Sequence, residues 1–162
     1  MTNLFIELIE RIQGELKDLD RVIARSEKSW QKAQLSLNEQ DVYLDSVALN
    51  LHSFYSGLER LFELIARHVD SSVPDGSTWH QDLLYQMSRD VPNVRPAVIS
   101  HNSRQSLGEF RRFRHLVRNV YATNLVPDKI KGLMSTLPVL WPDLKAELTA
   151  FCKFMQALER NI

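Results

Sequence analysis

LDSVALNLHSFYSGLERLFELI, residues 44–65, carries apolar side chains at Leu44, Val47, Leu51, Phe54, Leu58, Leu61 and Ile65. Steps of three and four residues return each of them to one side of a helix and leave the other side polar. Upstream, Leu4, Leu8, Ile12, Leu16, Leu19 and Ile23 keep the same rhythm, and Trp30, Ala33 and Leu37 extend it more weakly to about residue 38. Downstream, HVDSSVPDGST brings Pro74, Asp75 and Gly76 together as a turn. Thr78 and Gln81 then have capping-box spacing ahead of a shorter helix through Leu83, Leu84 and Met87.

Pro92 and Pro96 bracket a second loop, after which Leu107, Phe110, Phe113, Val117 and Val120 mark a helix over about 103–122. Pro127 suits the first turn of a last helix. Pro138 and Pro142 are expected to interrupt or kink it before it resumes as DLKAELTAFCKFMQALERN. No segment alternates as a strand does, and 5 Gly and 6 Pro are too few for a turn-rich β-sandwich. The expectation is all-α, an antiparallel bundle of four to five helices in a single domain over 1–162.

The 20 basic and 20 acidic side chains balance, so bulk attraction to nucleic acid or to a membrane is not indicated. No run approaches the roughly 20 apolar residues of a membrane span. The opening MTNLFIELIERIQGELKD mixes charge with apolar residues, unlike a signal peptide. The lone Cys152, in AFCKFM, cannot form an internal disulfide and reads as a small buried hydrophobe. A cytoplasmic protein without membrane contact is expected.

Charge is nevertheless segregated. Residues 104–126 hold five arginines, Arg104, Arg111, Arg112, Arg114 and Arg118, against Glu109 alone. At about 100° per residue, Arg104, Arg111, His115 and Arg118 share one face of a helix. Arg114 falls at the edge of the apolar side, where a guanidinium needs a partner: Glu59, Glu63 or a ligand phosphate. A solvated basic face with one salt-bridged arginine explains the pattern, and so does a phosphate-binding surface. There is no glycine-rich phosphate loop, GxSxG elbow, HExxH pair or paired cysteine, and the five histidines show no metal-ligand spacing, so neither metal nor cofactor is expected. His80, beside Trp79 at a helix start, reads as a capping or packing residue, and Glu59, Glu63 and Arg67 read as an i, i+4 charge ladder.

FRRFRHLVRNVYATNL, residues 110–125, resembles the signature helix of HEPN-domain proteins, especially HepT-type ribonuclease toxins that pair with a minimal nucleotidyltransferase. FYSGLERLFELIARHVD, WHQDLLYQM and VRPAVIS upstream are similar to one bacterial subgroup, so the likeness covers about 40–135. In that family an arginine and a histidine four to six residues on form the ribonuclease site, with a tyrosine two residues beyond. The resemblance assigns the arginine to Arg114 and the tyrosine to Tyr121, while the histidine position holds Asn119. Asparagine hydrogen-bonds a phosphate or base but does not shuttle a proton, and His115, one turn earlier, is the nearest substitute on the helix. Arg95 and His101 satisfy the bare spacing but lie across Pro96, ahead of the signature helix, and are read as coincidence.

The family's habits imply a homodimer in which two signature helices form one basic cleft. That would bring together Arg114, His115 and Asn119 as catalytic residues, with Arg111 and Arg118 binding RNA. They also imply a nucleotidyltransferase antitoxin that silences the cleft by adding AMP to Tyr121. The implied function is a metal-independent endoribonuclease toxin. The alternative is a catalytically inactive HEPN domain that binds RNA or nucleotide or docks a nucleotidyltransferase, and the blandest option is a helical structural protein.

Overall fold

A computed structural model of the chain describes residues 2–119 and 127–161. Tyr121 lies outside the described residues, as do the side chains of Arg118 and Asn119. The helices are α1 Thr2–Leu35, α2 Gln40–Ile65, α3 Trp79–Met87, α4 His101–Asn119 and α5 Pro127–Arg160. No strand occurs among the described residues, only an isolated bridge between Val91 and Arg95. The all-α bundle of the sequence reading is the architecture observed.

The 44–65 stripe becomes the central helix: α2 packs along α1 and also touches α3, α4 and α5. A single cluster of buried side chains draws on all five helices. Phe54, fully buried, meets Phe110 of α4 edge-on at 5.5 Å and Trp141 of α5 edge-on at 5.8 Å, the offset geometry that aromatic quadrupoles favour. On α1 the expected residues Leu8, Ile12, Leu16, Leu19 and Ile23 are buried, whereas Leu4 stays partly exposed. Gly57 marks a close approach of α1 to α2, since a Cβ there would stand 2.6 Å from Glu15 Oε1 and 3.0 Å from Leu19 Cδ2. Asp20 of α1 accepts hydrogen bonds from Trp141 Nε1 and Lys145 Nζ of α5, each at 2.8 Å.

Past Ile65 the chain widens into one π-helical turn, Ala66–Asp70, closed by Ser71 in the left-handed region and by a bond from Ser72 N to Ala66 O. This turn delivers Asp70 to Arg95. Asp70 Oδ1 and Oδ2 accept from Arg95 Nε and Nη2 at 2.6 Å each, and Oδ2 also accepts from Gln86 Nε2 at 2.8 Å. Arg95 donates further to the carbonyls of Gln86, Arg89 and Pro96. Its side chain is entirely buried, so it serves a clasp that ties α3 and the following loop to the end of α2. At the far side of that loop, Ser100 Oγ accepts from Ser103 N, and Glu147 of α5 accepts from Ser100 N and Ser103 Oγ, which fixes where α4 begins.

Two local expectations change. The capping box at Thr78 does not form: the Thr78 hydroxyl donates to Asp82 Oδ2 at 3.0 Å, and no side chain caps the helix. Nor do Pro138 and Pro142 interrupt the last helix, because α5 runs through both. Each proline removes one backbone donor, but both sit on the exposed side of α5. Buried Leu137, Leu140, Trp141 and Leu144 hold the opposite side of that stretch against the core.

Candidate functional site

Arg114 is the residue on which the site is built. Its neighbours Phe110 and Phe113 are buried in the core, so α4 presses the guanidinium against α2 instead of releasing it to solvent. Nε donates to Ser56 Oγ at 2.8 Å, and Nη1 lies 3.4 Å from Glu59 Oε1. The Arg114 side chain is 15% exposed and that of Glu59 only 5%. Of the partners that the sequence offered, Glu59 is the one used. It follows that Glu59 does not belong to a solvent-facing charge ladder with Glu63 and Arg67: its carboxylate turns inward, beside buried Tyr55 and Phe62. Burial, reinforced by the Glu59 charge, pushes the Tyr55 hydroxyl above the ordinary tyrosine range, so Tyr55 is a neutral phenol at physiological pH.

The other oxygen of the carboxylate, Glu59 Oε2, is 2.7 Å from His80 Nδ1. An ionised carboxylate only accepts, so this contact assigns a proton to Nδ1, and in the neutral ring the lone pair is then on Nε2, at the opposite edge. His80 stacks on Trp79 with ring centroids 3.6 Å apart, and its side chain is 28% exposed. The packing read from the sequence is present, but the bond to Glu59 was not foreseen. Its signal was a carboxylate one position from Leu58, on the buried side of an apolar helix.

Glu59 thus links Arg114 on one side to His80 on the other. These three, with His52, Ser53 and Ser56, border a cavity of about 380 Å³, which Arg60, Glu63 and Trp79 complete. A guanidinium, a carboxylate-backed imidazole and hydroxyls around one opening are suited to holding a phosphate ester and moving a proton beside it.

The other α4 candidates face elsewhere. Arg111 and His115 border a second cavity, of about 570 Å³, between α4 and α5, together with Arg112, Lys129, Phe113 and Leu133. Within one chain, therefore, Arg114 and His115 open on different sides of α4. Arg104 lies over the ring of Tyr85 at 5.0 Å, donates to Ser88 Oγ and pairs with His101 Nδ1. Arg118 and Asn119 continue α4, and Tyr121 lies outside the described residues. No helix among the described residues is long and apolar enough to cross a membrane.

Among comparisons with known proteins, the model of a family described as HepT-like protein matches residues 46–155. No curated protein and no solved structure matches the chain. The matched stretch begins within α2 and ends within α5, so it contains Ser56, Glu59, His80 and Arg114 alike.

Proposed function

The chain belongs to the HepT-like family, and from that premise we propose that it is a metal-independent endoribonuclease, the toxin of a toxin–antitoxin pair. The observation that carries this reading is Arg114, a guanidinium held by Ser56 and Glu59 at the edge of a cavity. Arginine's fork geometry suits the scissile phosphate, and close counter-charge keeps the side chain in place before RNA arrives. Asn119, five residues along the same helix, adds a hydrogen-bonding amide. Arg111 and Arg118 extend positive charge along α4 for the flanking strand, and His115 adds a ring that hydrogen-bonds. Two chains pairing through α4 would join these surfaces into one cleft. A nucleotidyltransferase antitoxin would silence it by placing AMP on Tyr121, adding bulk and negative charge.

The test is cleavage of total bacterial RNA by purified protein whose intact mass excludes AMP on Tyr121. Wild type is compared with Arg114→Ala, Arg114→Lys, Asn119→Ala and His115→Ala. Arg114→Ala should lose activity by about 10²-fold or more, and expression of that variant should no longer arrest growth. Arg114→Lys keeps a charge beside Glu59 but not the fork, and should recover only a small part. RNA left intact by folded, unmodified wild type ends the ribonuclease reading.

A second reading is favoured by one feature, the asparagine at the family's histidine position. In it the same cavity binds RNA or nucleotide, or α4 docks a nucleotidyltransferase, and nothing is cleaved. Arg114-dependent binding of RNA without cleavage is its expected result.

A further inference from the structure

The geometry points to His80 as the proton-transferring residue of this site, taking the place that Asn119 leaves empty on α4. The inference rests on the ribonuclease reading and names the group that reading lacks. His80 comes from α3, so no spacing along α4 reveals it. Folding brings it to the same buried carboxylate that pairs with Arg114: Glu59 Oε2 is 2.7 Å from His80 Nδ1, and Glu59 Oε1 is 3.4 Å from Arg114 Nη1. A carboxylate bound at Nδ1 fixes the tautomer and stabilises the imidazolium that forms when Nε2 takes a proton. Trp79 stacks on the ring and restrains its rotation. His80 and Arg114 border one cavity of about 380 Å³, within the roughly 300–1,000 Å³ of small-ligand pockets.

The substrate is RNA with a 2′-hydroxyl at the scissile nucleotide. His80 Nε2 takes the 2′-hydroxyl proton while the 2′-oxygen bonds to phosphorus and the bond from phosphorus to the 5′-oxygen breaks. The departing 5′-oxygen takes a proton from water, and the hydroxide left behind is neutralised by the proton that His80 returns. The products are a 2′,3′-cyclic phosphate and a 5′-hydroxyl. Arg114 holds the phosphate oxygens throughout, and Glu59 is a positioning residue.

The other titratable or charged groups on the cavity are His52, Arg60 and Glu63 of α2 and Arg114 of α4, and of these His52 is the rival base. The experiment therefore measures RNA cleavage against pH for full-length wild type, His80→Gln, His80→Ala and His52→Gln. His101→Gln, outside the cavity, serves as control. Binding of a mixed-sequence 2′-O-methyl oligonucleotide is followed by fluorescence anisotropy. The glutamine amide can still donate to Glu59 but cannot carry a proton. His80→Gln should therefore cut cleavage by about 10²–10⁴-fold and flatten the acid limb of the profile, with binding within twofold of wild type. Added imidazole should restore part of the activity of His80→Ala, which a misfolded variant would not allow. Wild-type rate and profile in His80→Gln overturn the inference and leave the ribonuclease standing, as does an acid limb that disappears only with His52→Gln. Wild type that leaves RNA intact overturns the ribonuclease reading and this inference with it.

Discussion

Replacing Asp70 by Asn exchanges a single heavy atom and should cost this protein a large share of its stability. Asp70 and Arg95 form a pair whose side chains are 3% and 0% exposed, joined by two contacts of 2.6 Å. Asp70 Oδ2 accepts from Arg95 Nη2 and from Gln86 Nε2 together. An amide leaves either its oxygen or its NH₂ at that point. With the NH₂ there, a donor faces two donors; with the oxygen there, the Nε contact fails instead. In either orientation the carboxylate charge is gone and the guanidinium stays buried. Stranding one partner of a buried ion pair typically costs about 3–5 kcal/mol, against a total of roughly 5–15 kcal/mol for a folded domain. The three backbone carbonyls that also accept from Arg95 moderate the loss, which places the expectation at the lower end, about 3 kcal/mol. At roughly 2–4 °C per kcal/mol for a chain of this size, Tm should fall by about 6–12 °C. Urea denaturation followed by far-UV circular dichroism reads the free energy directly. The double variant Asp70→Leu/Arg95→Met, which strands no charge, should be less destabilised than Asp70→Asn. A loss below about 1 kcal/mol in Asp70→Asn, or a double variant less stable than Asp70→Asn, would refute the argument that the charge pair is what the clasp depends on.

Gly57→Ala should change stability by no more than about 1 kcal/mol in the same assay, because the methyl displaces Glu15 Oε1, the free end of a flexible side chain, while replacing a helical glycine by alanine returns about 1 kcal/mol. Pairing it with Glu15→Ala should make the change stabilising, and a loss above about 3 kcal/mol for Gly57→Ala would show that the Glu15 side chain does not yield. Cys152 is buried, and burial raises its thiol from about 9 to about 11. About one thiol in ten thousand is then ionised at pH 7, so thiol reagents should label Cys152 only when the chain unfolds. Since the folded value is the higher one, the thiol's contribution to stability is complete below pH 9 and declines as pH rises towards 11. Labelling of the native protein at the rate of a free thiol would contradict this.

The outcome separates what a helical repeat can reveal from what only folding brings together. Leu44 to Ile65 marked α2 because burial on one side of a helix leaves a period in the sequence. Arg114 stood out as a charge at an apolar margin, and the same logic named Glu59 among its partners. The role of His80 had no such mark: its bond to Glu59 spans 21 residues and joins two helices whose relative placement no local period encodes. The i, i+4 spacing that makes Glu59, Glu63 and Arg67 read as a charge ladder looks the same on either side of a helix. Tyr55 and Phe62, the neighbours of Glu59 on the helix, are the better guide. The interruption expected at the prolines of α5 fails for a related reason. Helix propensity is a local preference, and the packed residues from Leu137 to Leu144 outweigh it.

Helix α1 lies wholly outside the stretch that the family model matches, yet its side chains help to close the core over α2. Ancestry and cooperativity therefore draw different boundaries on this chain. A fragment cut at residue 46 would keep every residue of the Arg114–Glu59–His80 cluster. It would also uncover the α2 side that α1 now shields and remove Asp20 from Trp141 and Lys145. Such a piece would carry the site's chemistry in its sequence and, with an apolar wall open to water, a tendency to aggregate instead of displaying it. For anyone grafting, trimming or recombining the protein, the portable unit extends beyond the recognisable one by the length of a 34-residue helix.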